Sequence, residues 1–207
     1  MENLNLAQKY KTYYSAKQQP ELVAIEPAHY ISITGKGDPS AAEFAGKIEA
    51  MYNVAYSIRA RCKAGGNKFT VAKLEGLWWF DNEKYGGLTM TEAPVNVPKS
   101  EWEYRLLIRM PEFVSQAHLQ TAIQKVMEKK QLKWVEEMEW YQMEEGKSVQ
   151  ILHMGPFDKE LETLQKIKAF VEAKELQQNG LHHEIYLSDF RRTAPEKLKT
   201  ILREPVK

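Results

Sequence analysis

The sequence predicts an α+β fold made of two pseudo-symmetric strand-helix-strand-strand halves, whose antiparallel sheets carry helices on one face and enclose a central groove. Three observations support this. Apolar residues recur at helical spacing in some windows and alternate in others. The order strand, glycine turn, helix, glycine stop, strand, strand occurs twice, the second copy starting near residue 148, as an internal two-fold repeat would give. Several strands are also bulky where a half-exposed sheet should be polar, which calls for a shared groove. The chain reads as one domain over 1–207, with repeat halves at 28–111 and 148–207 and a helix–strand connector at 112–147.

Residues 1–28 mix Lys, Tyr and Gln without a period and read as a lead-in draped over the domain. A β-rich run, His29 to Gly35, ends in the turn Gly35-Lys36-Gly37-Asp38-Pro39. Ser40 with Glu43 suits a capping box for the next helix. Phe44, Ile48, Met51, Ala55 and Ile58 then form its core stripe, and Cys62, four residues on, joins that stripe. Gly65-Gly66 stops the helix. From Phe69 to Phe80 the chain returns to β character, with Leu77 and Trp79 pointing one way and Trp78 and Phe80 the other. An irregular loop spans Asp81 to Ser100. Beyond it, Trp102, Tyr104, Leu106, Ile108 and Met110 make one apolar face of a strand.

In the connector, 115–130 read as a helix, followed by a strand through Met138, Trp140 and Gln142 and a turn at Glu144-Glu145-Gly146-Lys147. The second copy runs from the Val149–Met154 strand through a turn at Gly155-Pro156, with Asp158 as helix N-cap. Its helical stripe is Leu161, Leu164, Ile167 and Val171, and Asn179-Gly180 is its stop. A strand at His182–Asp189 and a last extended segment from Lys199 to Val206 complete it.

Composition excludes several classes of function. Twenty-nine basic against twenty-eight acidic side chains leave no field to draw in nucleic acid or an anionic membrane. A single cysteine forms neither an internal disulfide nor a structural metal site. No apolar run is long enough to span a bilayer, and Met1-Glu2-Asn3-Leu4 does not open a signal segment, so a cytoplasmic protein, a monomer without cofactor, is expected. His182 and His183 diverge as strand neighbours and have no third ligand near in sequence, so no metal is expected there. Ser188, Asp189 and His183 cannot align as a triad on one strand. Gly35-Lys36-Gly37 lacks the pattern of a phosphate loop.

The 182–189 strand carries the chemistry. Ile185 and Leu187 share one face, while Glu184 and Tyr186 stand together on the other, facing either water or a groove. Of Trp78 and Trp79, adjacent on a strand, one faces the groove and the other is core; Trp79 is taken as the groove residue. Trp140 is assigned to the groove because Glu137 and Glu139 lie on the other side of its strand. Tyr52 and Tyr56, at i and i+4 beside the helix stripe, fit either the pocket or a helix–sheet seam.

Three strings, Met51–Arg59, Leu74–Trp79 and His183–Asp189 running on through Arg191-Arg192-Thr193-Ala194-Pro195-Glu196-Lys197-Leu198, resemble the GyrI-like small-molecule-binding fold, and its stand-alone branch in particular. The resemblance implies a ligand groove between the halves, with a buried carboxylate near the C-terminal end; Glu184 matches that carboxylate. For stand-alone members it implies hydrolysis of cyclopropane-containing, DNA-alkylating genotoxins. Such chemistry needs a base to activate water and donors where the opened ring's oxygen becomes charged. Glu184 is the expected base and Tyr186 the group that orients water or donates. Trp79, Trp140, Tyr104, Tyr52 and Tyr56 are the aromatics available for a lipophilic, flat aromatic small molecule. Two other roles fit the resemblance: binding, sequestering or sensing lipophilic cationic drugs with Glu184 as counter-charge, and interaction with gyrase.

Overall fold

A computed structural model describes residues 3–89 and 91–207. Its strands are β1 (Glu21–Ile25), β2 (Ala28–Lys36), β3 (Leu74–Trp79), β4 (Glu103–Arg109), β5 (Glu139–Met143), β6 (Gly146–Met154), β7 (His182–Tyr186) and β8 (Lys199–Pro205). Its helices are α1 (Leu6–Lys9), α2 (Lys11–Tyr14), α3 (Ala42–Ala64), α4 (Ala93–Asn96), α5 (Gln116–Lys129) and α6 (Glu160–Ala173). All eight strands join one sheet in the order β1-β6-β8-β7-β3-β4-β2-β5, each neighbouring pair antiparallel.

The order reads alike from both ends towards the central β7–β3 pair: β6-β8-β7 on one side matches β2-β4-β3 on the other. The turns that launch α3 and α6 also match. Gly37 and Gly155 take φ of 122° and 128°, a backbone region open to glycine and strained for residues with a Cβ. Helix capping departs from expectation. Ala41 is the N-cap of α3, while Ser40 bonds Asp38 instead, and a short 3₁₀ turn at Phe157–Lys159 precedes α6 and takes up Asp158.

The register across the seam decides which side chains meet. Gly76 lies opposite Glu184, Leu77 opposite His183 and Trp78 opposite His182. Side chains alternate along a strand and paired residues share a face. Gly76, Trp78, His182, Glu184 and Tyr186 therefore lie on one face; Glu75, Leu77, Trp79, His183 and Ile185 lie on the other.

The first of these is the helix face. Phe44, Ile48, Met51, Ala55, Ile58 and Cys62 of α3 are all buried in a core with Ile31 and Ile33 of β2 and Leu106 and Ile108 of β4, and α5 packs beside α3. Each such side chain contributes roughly 1.5–3 kcal/mol by leaving water. On the other half, Leu164 and Ile167 of α6 close over Val149, Ile151 and Leu202. The long helices thus sit over the outer strands and leave the β3–β7 seam between them. The groove between the halves therefore lies on the helix face of the sheet.

That opposite face is filled by the N-terminal residues. The segment expected only to drape over the domain forms α1, α2 and an edge strand, β1, and packs Leu6, Tyr13 and Tyr14 against Ile25, Ile185 and Ile201. At the centre of this arm face is a closed polar network. His183 contacts Glu145 through Nδ1 at 2.9 Å and Glu75 through Nε2 at 3.1 Å. Tyr13 and Tyr14 donate to Glu75. Arg203, fully buried, donates to Glu145 at 3.0 Å, to Gln150 at 2.9 Å and to the Tyr13 carbonyl at 2.7 Å. Burial opposes the charge on His183, but the Glu145 and Glu75 carboxylates outweigh it and raise its pKa. Burial likewise opposes the charge on Glu145, yet His183 and Arg203 hold its pKa down to about 2. Every charge here has its counter-charge and its hydrogen bonds, the condition under which a buried ionic cluster is stable. Glu145, expected in a turn, is one of its anchors.

Candidate functional site

On the helix face the seam carries a row of polar side chains contributed by three strands, β3, β7 and β8. His182 sits between two carboxylates: Nδ1 is 2.6 Å from Glu204 Oε1 of β8, and Nε2 is 3.4 Å from Glu184 Oε1. Tyr186, two residues beyond Glu184 on the same face, accepts a hydrogen bond from the Trp78 indole at 3.2 Å. Gly76 makes the last contact possible. A Cβ there would lie 2.9 Å from the Trp78 nitrogen and 3.0 Å from the Tyr186 hydroxyl, so only glycine lets these side chains cross above the strand.

Burial alone would strip His182 of its charge, but the Glu204 carboxylate, with help from Glu184, raises its pKa to about 10, so both ring nitrogens are donors. Burial, reinforced by the charge of Glu184, lifts Tyr186 well above the usual phenol range and keeps it a donor. At the first turn of α6, burial and the same charge lift Glu160 well above the ordinary carboxylate range. Glu160 Oε1 and Glu204 Oε2 are sealed from solvent without a hydrogen-bond partner. The Glu184 side chain keeps 13% of its surface exposed, so the chain of contacts opens to the groove at this residue. Phe157, Phe190 and Tyr186 pack edge to face on one another, with centroids 5.4–5.9 Å apart. The arrangement supplies an oriented carboxylate, a phenol and a second carboxyl group of raised pKa beside an aromatic cluster. No group of three or more His, Cys, Asp or Glu side chains among the described residues is placed to hold a metal ion.

The aromatics named from sequence separate. Trp79 is on the arm face, beside Tyr30 and Leu77, with its indole bonded to Glu103. This corrects the assignment of Trp79 to the groove: the Gly76–Glu184 register brings Trp78 to Glu184's face instead. Trp140 is also corrected. It lies on β5, four strands from β7 and so about 19 Å away, stacked on His29. Tyr104 shares the face but is fully buried, seated over Gly35 against Phe44 and Trp78. Tyr52 borders a small cavity of about 60 Å³ that also touches Tyr186, while Tyr56 is 53% exposed one turn further along α3.

Sequence reasoning did not single out His182, Glu160, Glu204, Phe157 or Phe190. His182 was findable, since it shares strand parity with Glu184; it was weighed only as a metal ligand. Glu204 required the β7–β8 register and Glu160 the docking of α6, neither of which leaves a local signal.

The small-molecule-binding character of this architecture has independent support. The family model for the GyrI-like small molecule binding domain matches residues 18–207. An uncharacterized conserved protein from Listeria innocua is similar over 99% of this chain and 100% of its own, at 31% identity and a TM-score of 0.87. A hydrolase from Listeria innocua is 30% identical over 99% of this chain and 100% of its own, with a TM-score of 0.85. The C-terminal domain of EcmrR shares the fold at 9% identity over 91% of this chain and 97% of its own, with a TM-score of 0.58. No curated protein sequence matches the chain significantly. With nearly its whole length matched, the chain belongs to the GyrI-like small-molecule-binding family.

Proposed function

We propose that this protein is a hydrolase that opens the cyclopropane ring of DNA-alkylating cyclopropanoid genotoxins, with Glu184 as the base and Tyr186 as its partner in orienting water. The observation that carries the reading is the buried Glu204–His182–Glu184 row, open to the groove at the last carboxylate, with the Trp78–Tyr186 hydrogen bond beside it on the same sheet face. In the reaction, water oxygen bonds to the ring methylene carbon and one cyclopropane C–C bond breaks. The released electron pair aromatises the conjugated dienone to a phenolate, which is then protonated. Glu184 takes the proton from water. His182 fixes one carboxylate oxygen, so the base is held in place before the substrate arrives. Tyr186, kept as a phenol, donates to water or to developing negative charge. Glu160, whose pKa is raised by burial and by the charge of Glu184, is the candidate for a second, acidic partner beside the base, the pairing by which one site runs both proton transfers. General acid–base help of this type contributes roughly 10²- to 10⁴-fold in rate, and ring strain lowers the remaining barrier. The similarity to a hydrolase from Listeria innocua supports the same reaction class.

A counter-charge role for Glu184 towards a cationic drug is the second reading, favoured by charge balance: the one imidazolium of His182 is shared between Glu204 and Glu184, which leaves a net negative charge at the groove. One experiment separates the two. The protein is mixed with a cyclopropanoid, and mass spectrometry follows the addition of one water. Glu184→Gln is expected to lose turnover and retain affinity. Loss of affinity with no catalysis by the wild type would instead identify a binding protein.

A further inference from the structure

A cleft of about 600 Å³ that does not include Glu184 lies between the N-terminal arm (Asn5, Ala7, Tyr14), the middle of α3 and the turn after β7, a size typical of small-molecule sites. We propose that this cleft is a second ligand compartment, which takes a planar, neutral or anionic extension of the molecule whose reactive end lies at Tyr186. The proposal rests on the reading of Glu184 and Tyr186 as the reacting end, and adds that the substrate is elongated and its far end not cationic.

Continuity is the first argument. The cleft and the small cavity that touches Tyr186 share Tyr52, Lys73, Asp189 and Arg191, so one molecule can occupy both. Shape is the second. Tyr52 and Tyr56 stack one turn apart at 6.3 Å and 30°, and the Arg191 guanidinium lies 5.0 Å over the Tyr52 ring. Asp189 grips Arg191 by two hydrogen bonds, of 2.9 and 3.0 Å, which fixes the plane of that cation. Flat surfaces held in this way suit a planar guest. Tyr56, half exposed, belongs to none of the hydrophobic clusters, so packing does not account for it. Charge is the third argument. Lys73, Arg191 and Arg192 face the cleft against a single carboxylate, Asp189, so a cationic extension is disfavoured there and an electron-rich or anionic one favoured. Asn5, Ala7 and Tyr14 precede residue 18, where the family match begins, so the arm completes this compartment from outside the shared domain.

The test uses two surface substitutions, Tyr56→Ala and Arg192→Glu. Calorimetric titration with 2-naphthoate is expected to show binding to the wild type and an affinity about tenfold weaker in each variant. Unchanged affinity in both variants, or no binding by the wild type at millimolar naphthoate, overturns the compartment. In a second arm, two cyclopropanoids are compared, one with only the reacting ring system and one bearing an added planar arm. Tyr56→Ala is expected to lower kcat/KM for the extended compound about tenfold more than for the short one; an equal fall for both overturns the proposal. If neither compound is turned over, the hydrolase reading fails, while the naphthoate titration still decides the compartment.

Discussion

His182 and His183 are consecutive, both buried, and each lies between two glutamates, yet they serve opposite faces of one strand to different effect. On the arm face, His183 joins Glu75 and Glu145 in a network that Arg203, Gln150 and two tyrosines complete, with each carboxylate oxygen of both glutamates bonded. On the helix face, His182 joins Glu204 and Glu184, but one oxygen of Glu204 and one of the neighbouring Glu160 stay unpartnered and Glu184 reaches solvent. The difference lies in what covers each face. The N-terminal arm brings donors down onto the first network, whereas α3 and α6 stand apart over the second. A closed network resists change and contributes stability; an open one holds charged groups ready for a ligand to complete.

The sharpest way to break this comparison is Arg203→Ala. Removing the cation leaves Glu145 buried with a partner missing and is expected to cost about 3–5 kcal/mol in urea unfolding; a loss under about 1 kcal/mol would mean that the arm-face network is no lock. Glu184→Gln should behave in the opposite way, staying within about 1 kcal/mol of wild type in the same assay because its side chain is partly solvated.

Acid titration tests the lock next. Glu145 has a folded-state pKa of about 2, below its ordinary 4.5. Its contribution is therefore fully present above about pH 4.5 and is lost as pH falls towards 2, a change of order a few kcal/mol. The helix face gives the mirror case. His182 is raised from 6.5 to about 10, so its contribution is present below pH 6.5 and declines as pH rises through 10. Unfolding midpoints measured from pH 2 to 10 should fall at both ends; a profile flat below 4.5 would contradict the charge assigned to Glu145.

The smallest effects distinguish the two tryptophans. Trp78→Phe removes the buried donor to Tyr186 and is expected to cost about 1 kcal/mol and to lower affinity for an aromatic ligand. Trp79→Phe loses only a half-buried bond to Glu103, about 0.5 kcal/mol. Ligand titrations that rank the two the other way would place the site on the arm face.

Much of the architecture was legible because periodicity is local. The Phe44–Cys62 stripe, the glycine turns at 37 and 155 and the pairing of Glu184 with Tyr186 follow from spacing of three, four or two residues. Edge strand β1 was missed because Leu22-Val23-Ala24-Ile25 is apolar at every position, so the sequence hides the alternating burial that the strand adopts. Trp79 and Trp140 were misplaced because a strand's pattern shows that its side chains alternate, but not which neighbour it pairs with or which face is covered.

The sequence by itself determined the class of fold, the repeat and the one strand that carries a carboxylate and a phenol on the same side, since backbone geometry dictates these within a few residues. Only the tertiary structure decided which face became the groove, that Trp78 rather than Trp79 meets Tyr186, and that Glu160 and Glu204 gather around His182 and Glu184. Those outcomes depend on strand register and helix docking between segments far apart in the chain, where a shift of one residue reverses every side chain.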